Sequence, residues 1–194
     1  MCIRDRGFAT PSRKIEIWSE TLTEHGQSPL PSFAIPQAER DAARYPLTLT
    51  CAKPTVFCQT QHRAIPSLRA RALHPEIEIH PDAAAARDIS DGSWVTLTTP
   101  VGAMMAKARF NDNLDPRVVI GEHGWWQACE PLNAPGHDPF ATTGSNFNAT
   151  VDATRRDPIG GTPGHRGNVC EVEPVSDAVG LSDQPASAFE GPAE

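Results

Sequence analysis

Lysine is the scarcest charged residue in this 194-residue chain: of 17 basic residues only Lys14, Lys53 and Lys107 are lysine, and the others are arginine. The formal net charge is −7, and no stretch gathers the basic stripe that a nucleic-acid backbone requires, so a nucleic-acid partner is excluded. No apolar run approaches the roughly 18 to 20 residues of a membrane-spanning helix, which excludes a helical membrane span. Cysteine occurs at positions 2, 51, 58, 129 and 170, an odd set without a CxxC pair. It indicates neither a disulfide framework nor a zinc or iron–sulfur site. Cys51, Cys58 and His62 lie near one another in sequence, but their spacing matches no compact metal site, and buried or inert thiols are the simpler reading. The opening residues hold no apolar signal core, and no internal repeat marks a solenoid or propeller.

What basic charge there is comes as guanidinium, whose planar fork suits phosphate and aromatic stacking better than an ammonium does. A high-GC genome produces the same bias without any functional cause. The length suits one domain with tails.

Residues 1–7 fit nothing downstream and are expected to be a non-native leader. From Phe8 the pattern becomes regular, with Ile15 and Ile17 alternating with polar residues as in a short edge strand. Ser19 to His25 suggests a helical turn or two. Gly26 to Pro36, with Pro29, Pro31 and Pro36, reads as an extended linker over the domain surface. Tyr45 to Lys53 is expected to be the first buried strand, ended by Pro54, and Thr55 to Pro66 is a donor-rich loop of the kind that carries binding groups. Leu68 to Leu73 suggests a helix with an Arg69 and Arg71 face. Glu76 to His80 alternates strictly as a strand, and Pro81 to Asp88 reads as a short Ala-rich helix. Trp94 to Thr98 and Ala103 to Phe110 pair as a hairpin, Arg117 to Gly121 forms another strand, and Val169 to Glu173 the last. Val175 to Glu194 is acidic and small, the composition of a disordered tail. Six or seven short strands with few helices point to a closed barrel.

The stretch with most chemical content is Glu122-His123-Gly124-Trp125-Trp126, just past the apolar run Val118 to Ile120. Asn146, Asn148 and Arg166 follow within a Pro-, Gly- and Asn-rich segment too long for an idle loop. Adjacent tryptophans beside Gly, His and Asn suit a flat aromatic ligand. Trp125 is assigned to the ligand and Trp126 to the core.

Four ordered blocks carry a resemblance: Thr10 to Glu20; Leu47 to Lys53 with Gln59 to Arg63; Ile77 to Ala83 with Asp91 to Val95; and Val118 to Trp126 with Asn146, Asn148, Asp157-Pro158 and Arg166. Together they resemble the C-terminal molybdopterin-dinucleotide-binding domain of the dimethyl sulfoxide reductase family of molybdenum and tungsten oxidoreductases. The resemblance implies a mainly β fold, a six-stranded double-psi β-barrel over residues 45–174, with 8–44 bridging from catalytic domains and 175–194 a tail. It implies that bis(molybdopterin guanine dinucleotide) carrying molybdenum or tungsten is the cofactor, with a 4Fe-4S cluster in a part of the enzyme that these residues do not match. The partners it implies are the N-terminal catalytic domains of the same enzyme and an electron-transfer subunit. On this basis Arg63 and Arg166 are candidates for phosphate or pterin contacts, Trp125 for stacking on or walling the cofactor, and Asn146 and Asn148 for the ring edges. Lys53, Gln59, Thr60, Gln61, His123 and Gly124 complete the candidate site. Lys53 stands where many members carry Arg, and Gln59 where His is common, which weakens the phosphate contact expected of the first loop. No residue here is a candidate for catalysis or for ligating the metal. The rival expectation is a stand-alone double-psi barrel serving as a recognition module. A metal-independent barrel enzyme, such as a decarboxylase, needs a reactive Ser, Lys or Asp motif that is not present.

Overall fold

A computed structural model describes residues 7–33, 43–136, 138–140 and 144–175, which fall into two compact units, Met1–Ile35 and Pro36–Glu194. Residues 1–6 of the leader expected at 1–7 and residues 176–194 of the tail expected at 175–194 lie outside the described residues, as does the end of the proline-rich linker.

The first unit is held by local contacts. Its helix α1 (Glu20–Glu24) starts where the Ser19 side chain accepts from Leu22 N–H, with Glu20 in the first turn, where a negative charge meets the exposed amides. The edge strand expected at Ile15 and Ile17 does not form. The chain turns instead, with Arg13 N–H donating to Thr10 O and Thr10 Oγ1 donating to Lys14 O at 2.6 Å. Alternation alone cannot make a strand, because its amides and carbonyls need a neighbour to pair with. Ile15 and Ile17 are consequently 70% and 80% exposed.

The second unit is a closed six-stranded barrel built from β1 (Leu47–Ala52), β2 (Glu76–Ile79), β3 (Trp94–Thr98), β4 (Ala103–Phe110), β5 (Val118–Glu122) and β6 (Asn168–Pro174), in the order β1-β5-β2-β4-β3-β6. β1 runs parallel to β5 and β2 parallel to β4, while the remaining neighbours are antiparallel. This interleaved order is the double-psi barrel that the strand count and the resemblance led us to expect. Closure leaves no edge strand.

Period-two alternation sends Leu47, Leu49, Ile77, Ile79, Val95, Leu97, Val119 and Val172 inward, and all are buried. Six strands enclose little space, so β4 contributes Ala106 and Ala108 beside Met104. Ala83 and Ala84 of α3 (Pro81–Ala85) and Ile89 join this core. His80 starts α3 as its N-cap, Nδ1 accepting from Asp82 N–H at 3.1 Å. Arg87 pairs with Glu171 of β6 and donates to Ala83 O, tying α3 to the barrel wall.

The helix expected over Leu68 to Leu73 is shorter and starts earlier, as the single turn α2 (Pro66–Arg69), because Pro66 supplies the preset first-turn φ. The β3–β4 hairpin and the strands around it stand where the pattern put them. Within the long segment after β5, a 3₁₀ turn at Phe147–Thr150 plugs the barrel: a Cβ on Gly121 would lie 2.7 Å from Phe147 Cε2.

Phe147 is itself buried, so its ring has little room to move. Gly121→Ala is expected to destabilise the protein by about 1 to 3 kcal/mol through overpacking. Phe147→Leu in the Gly121→Ala background should recover part of that loss. Urea unfolding followed by circular dichroism measures both, and equal stability of Gly121→Ala and the parent would show that the ring yields freely.

Candidate functional site

Because β1 and β5 are parallel neighbours, the loops leaving their C-terminal ends emerge side by side. The first is Lys53 to Ile65, leading into α2, and the second is His123 to Gln127. They meet closely. Gly124 has φ +86°, and a Cβ there would lie 2.7 Å from Thr60 Cα. Only glycine meets both demands at once. Gln59 and His62 also sit at positive φ, 57° and 75°, an uncommon backbone for side-chain-bearing residues and a sign that the first loop is tightly constrained.

Beneath the two loops lies a buried cluster of aromatic rings and cations. Arg63 is fully buried. Its Nη1 donates to Gln59 O at 2.8 Å and its Nη2 to His123 O at 2.7 Å, while its backbone N–H donates to Gln127 Oε1 at 3.1 Å. Its guanidinium carbon stands 4.5 Å from the Phe57 ring centroid and 4.8 Å from that of Trp125. Arg69, also buried, donates from Nε to Leu73 O at 3.0 Å and from Nη1 to Gln127 O at 3.2 Å, with its guanidinium 4.7 Å from Trp125. Phe57 meets Trp125 edge to face at 5.8 Å.

Trp125 Nε1–H donates to Glu122 Oε2 at 3.0 Å, and the same oxygen receives the Glu76 amide at 3.4 Å. Burial dominates the electrostatics. It lowers the Arg63 pKa to about 10, opposed by the Glu122 carboxylate and assisted by Arg69, so Arg63 stays charged at neutral pH. It pushes the Glu122 carboxyl up to about 7, against the pull of its two N–H donors and Arg63.

Above this cluster opens a cleft of about 130 Å³ lined by Thr60, His123, Gly124, Trp125, Trp126, Pro139, Ser145, Asn146, Phe147 and Asn148. Burial, then the charges of Arg63, Lys53 and His165, hold the His123 imidazole below its ordinary pKa. The ring is therefore neutral and can donate one hydrogen bond and accept another. The cations around it give this end of the barrel a positive field.

The candidate residues are thus brought together unevenly. Thr60, His123, Gly124, Trp125, Asn146 and Asn148 share the cleft, and Lys53 is close enough to act on His123. Gln59 and Gln61 are exposed on the first loop. Asn148 is exposed, whereas Asn146 is buried with its Nδ2 on Pro139 O and its Oδ1 on Asn148 N–H, capping the 3₁₀ turn. Arg63 acts inside the protein. Arg166 is exposed in a separate open basin of about 840 Å³, beside Arg155, Arg156 and Asp157. Trp126, expected in the core, is 41% exposed, and Trp125 is 3% exposed, while both line the cleft. Trp125 turns in because two guanidiniums and a carboxylate take its face and its N–H. Arg69, Glu122, Gln127 and His165 were not among the candidate site residues. Nothing in the sequence separates Arg69 from Arg71, since the orientation of a one-turn helix is decided by packing.

The sequence matches the Molydopterin dinucleotide binding domain over residues 47–169. The chain belongs to the molybdopterin dinucleotide-binding domain family. A dopamine dehydroxylase of Eggerthella lenta is 31% identical over 165 residues, covering 80% of this chain and 16% of that protein. A trimethylamine-N-oxide reductase of Haemophilus influenzae is 31% identical over 126 residues, 61% of this chain and 15% of that protein. The solved acetylene hydratase from Pelobacter acetylenicus superposes with a TM-score of 0.74 at 24% identity, over 88% of this chain and 24% of the other, and shows the shared fold. The chain thus spans about a sixth of the length of these curated relatives. Among the described residues no group of three or more His, Cys, Asp or Glu is placed to hold a metal ion, and no helix is long and apolar enough to cross a membrane.

Glu122 yields a prediction about this family member. Its folded pKa, about 7, lies above the ordinary 4.5, so the folded chain keeps a proton that the unfolded chain releases. Its contribution to stability is full below about pH 4.5 and is lost as pH rises through 7. Glu122→Gln keeps an acceptor for Trp125 and removes the titration. Between pH 5 and 8 the parent should lose on the order of 2 kcal/mol relative to the variant, measured as urea midpoints across that range. Parallel profiles would show that this carboxyl does not titrate there.

Proposed function

We propose that this domain grips the dinucleotide arms of bis(molybdopterin guanine dinucleotide), carrying molybdenum or tungsten, within a longer oxidoreductase chain. The observation that carries the reading is the cleft at the ends of β1 and β5. Its two loops are locked together at Gly124, and it is flanked by Lys53, His123, His165 and the two buried arginines. A pyrophosphate calls for cations and N–H donors, and a flat purine or pterin for a stacking wall and edge hydrogen bonds. The residues present fit both demands.

In this reading Lys53 and Arg166 meet phosphate. Gln59, Thr60, Gln61 and His123 donate to the polar edges, Asn148 offers its exposed amide, and Asn146 orients Asn148 through the turn it caps. Gly124 lets the backbone come close, Trp125 floors the cleft and Trp126 walls it. Arg63 contributes charge from below and holds His123 through its carbonyl. When bound, the cofactor supplies two-electron exchange at the metal, or the hydration chemistry named in one relative. This domain supplies binding and orientation. Residues 45–174 form the cofactor domain, and 8–44 bridge to catalytic domains of the same enzyme. Those domains would hold the metal ligand and a 4Fe-4S cluster and meet an electron-transfer subunit. The exposure of Ile15, Ile17 and Trp18 suits such a bridge.

The test is to express the complete gene and assay the purified enzyme for metal and released guanine nucleotide. Molybdenum or tungsten with a pair of guanine nucleotides is expected. Absence of both would make the barrel a recognition module. In the complete enzyme Arg166→Ala should lower cofactor content, since a charge-assisted hydrogen bond contributes about 1.5 to 3 kcal/mol. Unchanged metal content would remove Arg166 from the site.

A further inference from the structure

We propose that Arg69 is a positioning residue of the cofactor cleft: through Trp125 and Gln127 it fixes the loop bearing His123 and Gly124 against the loop bearing Thr60. The inference rests on the cofactor reading above and goes beyond it, since Arg69 does not line the cleft.

The geometry is that of a brace. The first loop runs directly into α2, so Arg69 is tied covalently to one side of the cleft, and its Nη1 donates across to Gln127 O on the other. Its Nε anchors on Leu73 O at the end of its own segment. The guanidinium carbon lies over the Trp125 ring, 4.7 Å from its centroid, and the indole N–H is held by Glu122 at the end of β5. Arg63 braces the same two loops from within the first, joining Gln59 O to His123 O and using Gln127 Oε1 for its amide. Gln127 is therefore gripped at its side chain by one arginine segment and at its carbonyl by the other.

Two buried cations on one indole repel each other, and an aliphatic side chain would fill the volume of Arg69 without that repulsion. What a guanidinium adds is directional: a planar fork aimed at two carbonyls while its charge lies over the ring. A lysine would keep the charge and lose the planar fork. The arrangement therefore serves to orient the second loop, beyond filling space beneath it.

The experiment compares the complete enzyme with Arg69→Lys, Arg69→Met, Arg71→Met and Met104→Ala. The readouts are guanine nucleotide per chain and melting temperature. Arg71 is exposed on the same segment, and Met104 is buried in the barrel core and does not line the cleft. We expect nucleotide content to fall at least threefold in both Arg69 variants and to stay at the parent level in Arg71→Met. Met104→Ala should keep most of its nucleotide despite a comparable or larger drop in melting temperature. Full nucleotide in Arg69→Lys, or equal loss in Met104→Ala, would reduce Arg69 to a general stabiliser and overturn the proposal. Should the Arg69 variants fail to accumulate, Trp125→Phe, which keeps an aromatic ring but removes the indole N–H, is expected to lose at least half of the nucleotide. Full retention in that variant would overturn the proposal as well. A parent enzyme devoid of guanine nucleotide would instead refute the cofactor reading, and this inference with it.

Discussion

The packing of two buried guanidiniums over the single indole of Trp125 is the interaction on which the shape of the cleft depends. A buried arginine is tolerable only when its donors are used and its charge is met. Here Arg63 and Arg69 place four side-chain donors on the carbonyls of Gln59, His123, Leu73 and Gln127, Arg63 Nε stays buried without a partner, and both guanidiniums lie over the Trp125 ring. Each of those carbonyls belongs to a loop or to its flank. These bonds tie the two loops together, and the first loop carries Gln59 and His62 at positive φ.

That cluster can exist only because of the strand order. Parallel pairing of β1 with β5 puts the ends of strands more than sixty residues apart in sequence at one rim of the barrel. A hairpin would have placed them at opposite rims. The closed, narrow barrel then supplies a rigid base, and Phe147 against Gly121 carries the Asn146 to Asn148 turn to the same rim. A positive field with neutral donors above it results, an arrangement suited to a pyrophosphate flanked by flat rings.

The relation between burial and role inverts what composition suggests. Arg63 and Trp125, the residues with the most obvious ligand chemistry, support the cleft from beneath, while Trp126, Asn148 and Lys53 face outward. Support of this kind decides how precisely the exposed groups are held.

How much of this was legible in the sequence follows from the range of the forces involved. Strand positions, the α3 helix, the β3–β4 hairpin and the barrel class were legible, because period-two alternation, Pro and Gly placement and Ala runs act locally. The His-Gly-Trp-Trp stretch and the donor-rich loop stood out by residue type. Ile15 and Ile17 misled, because alternation says nothing about whether a pairing strand exists. Which tryptophan is buried, that Arg69 differs from Arg71, that Glu122 is held near pH 7, and that Arg166 opens onto a basin of its own were decided by tertiary structure. These depend on which distant carbonyls, rings and charges the closed barrel brings within a few ångströms, and local pattern carries no record of that.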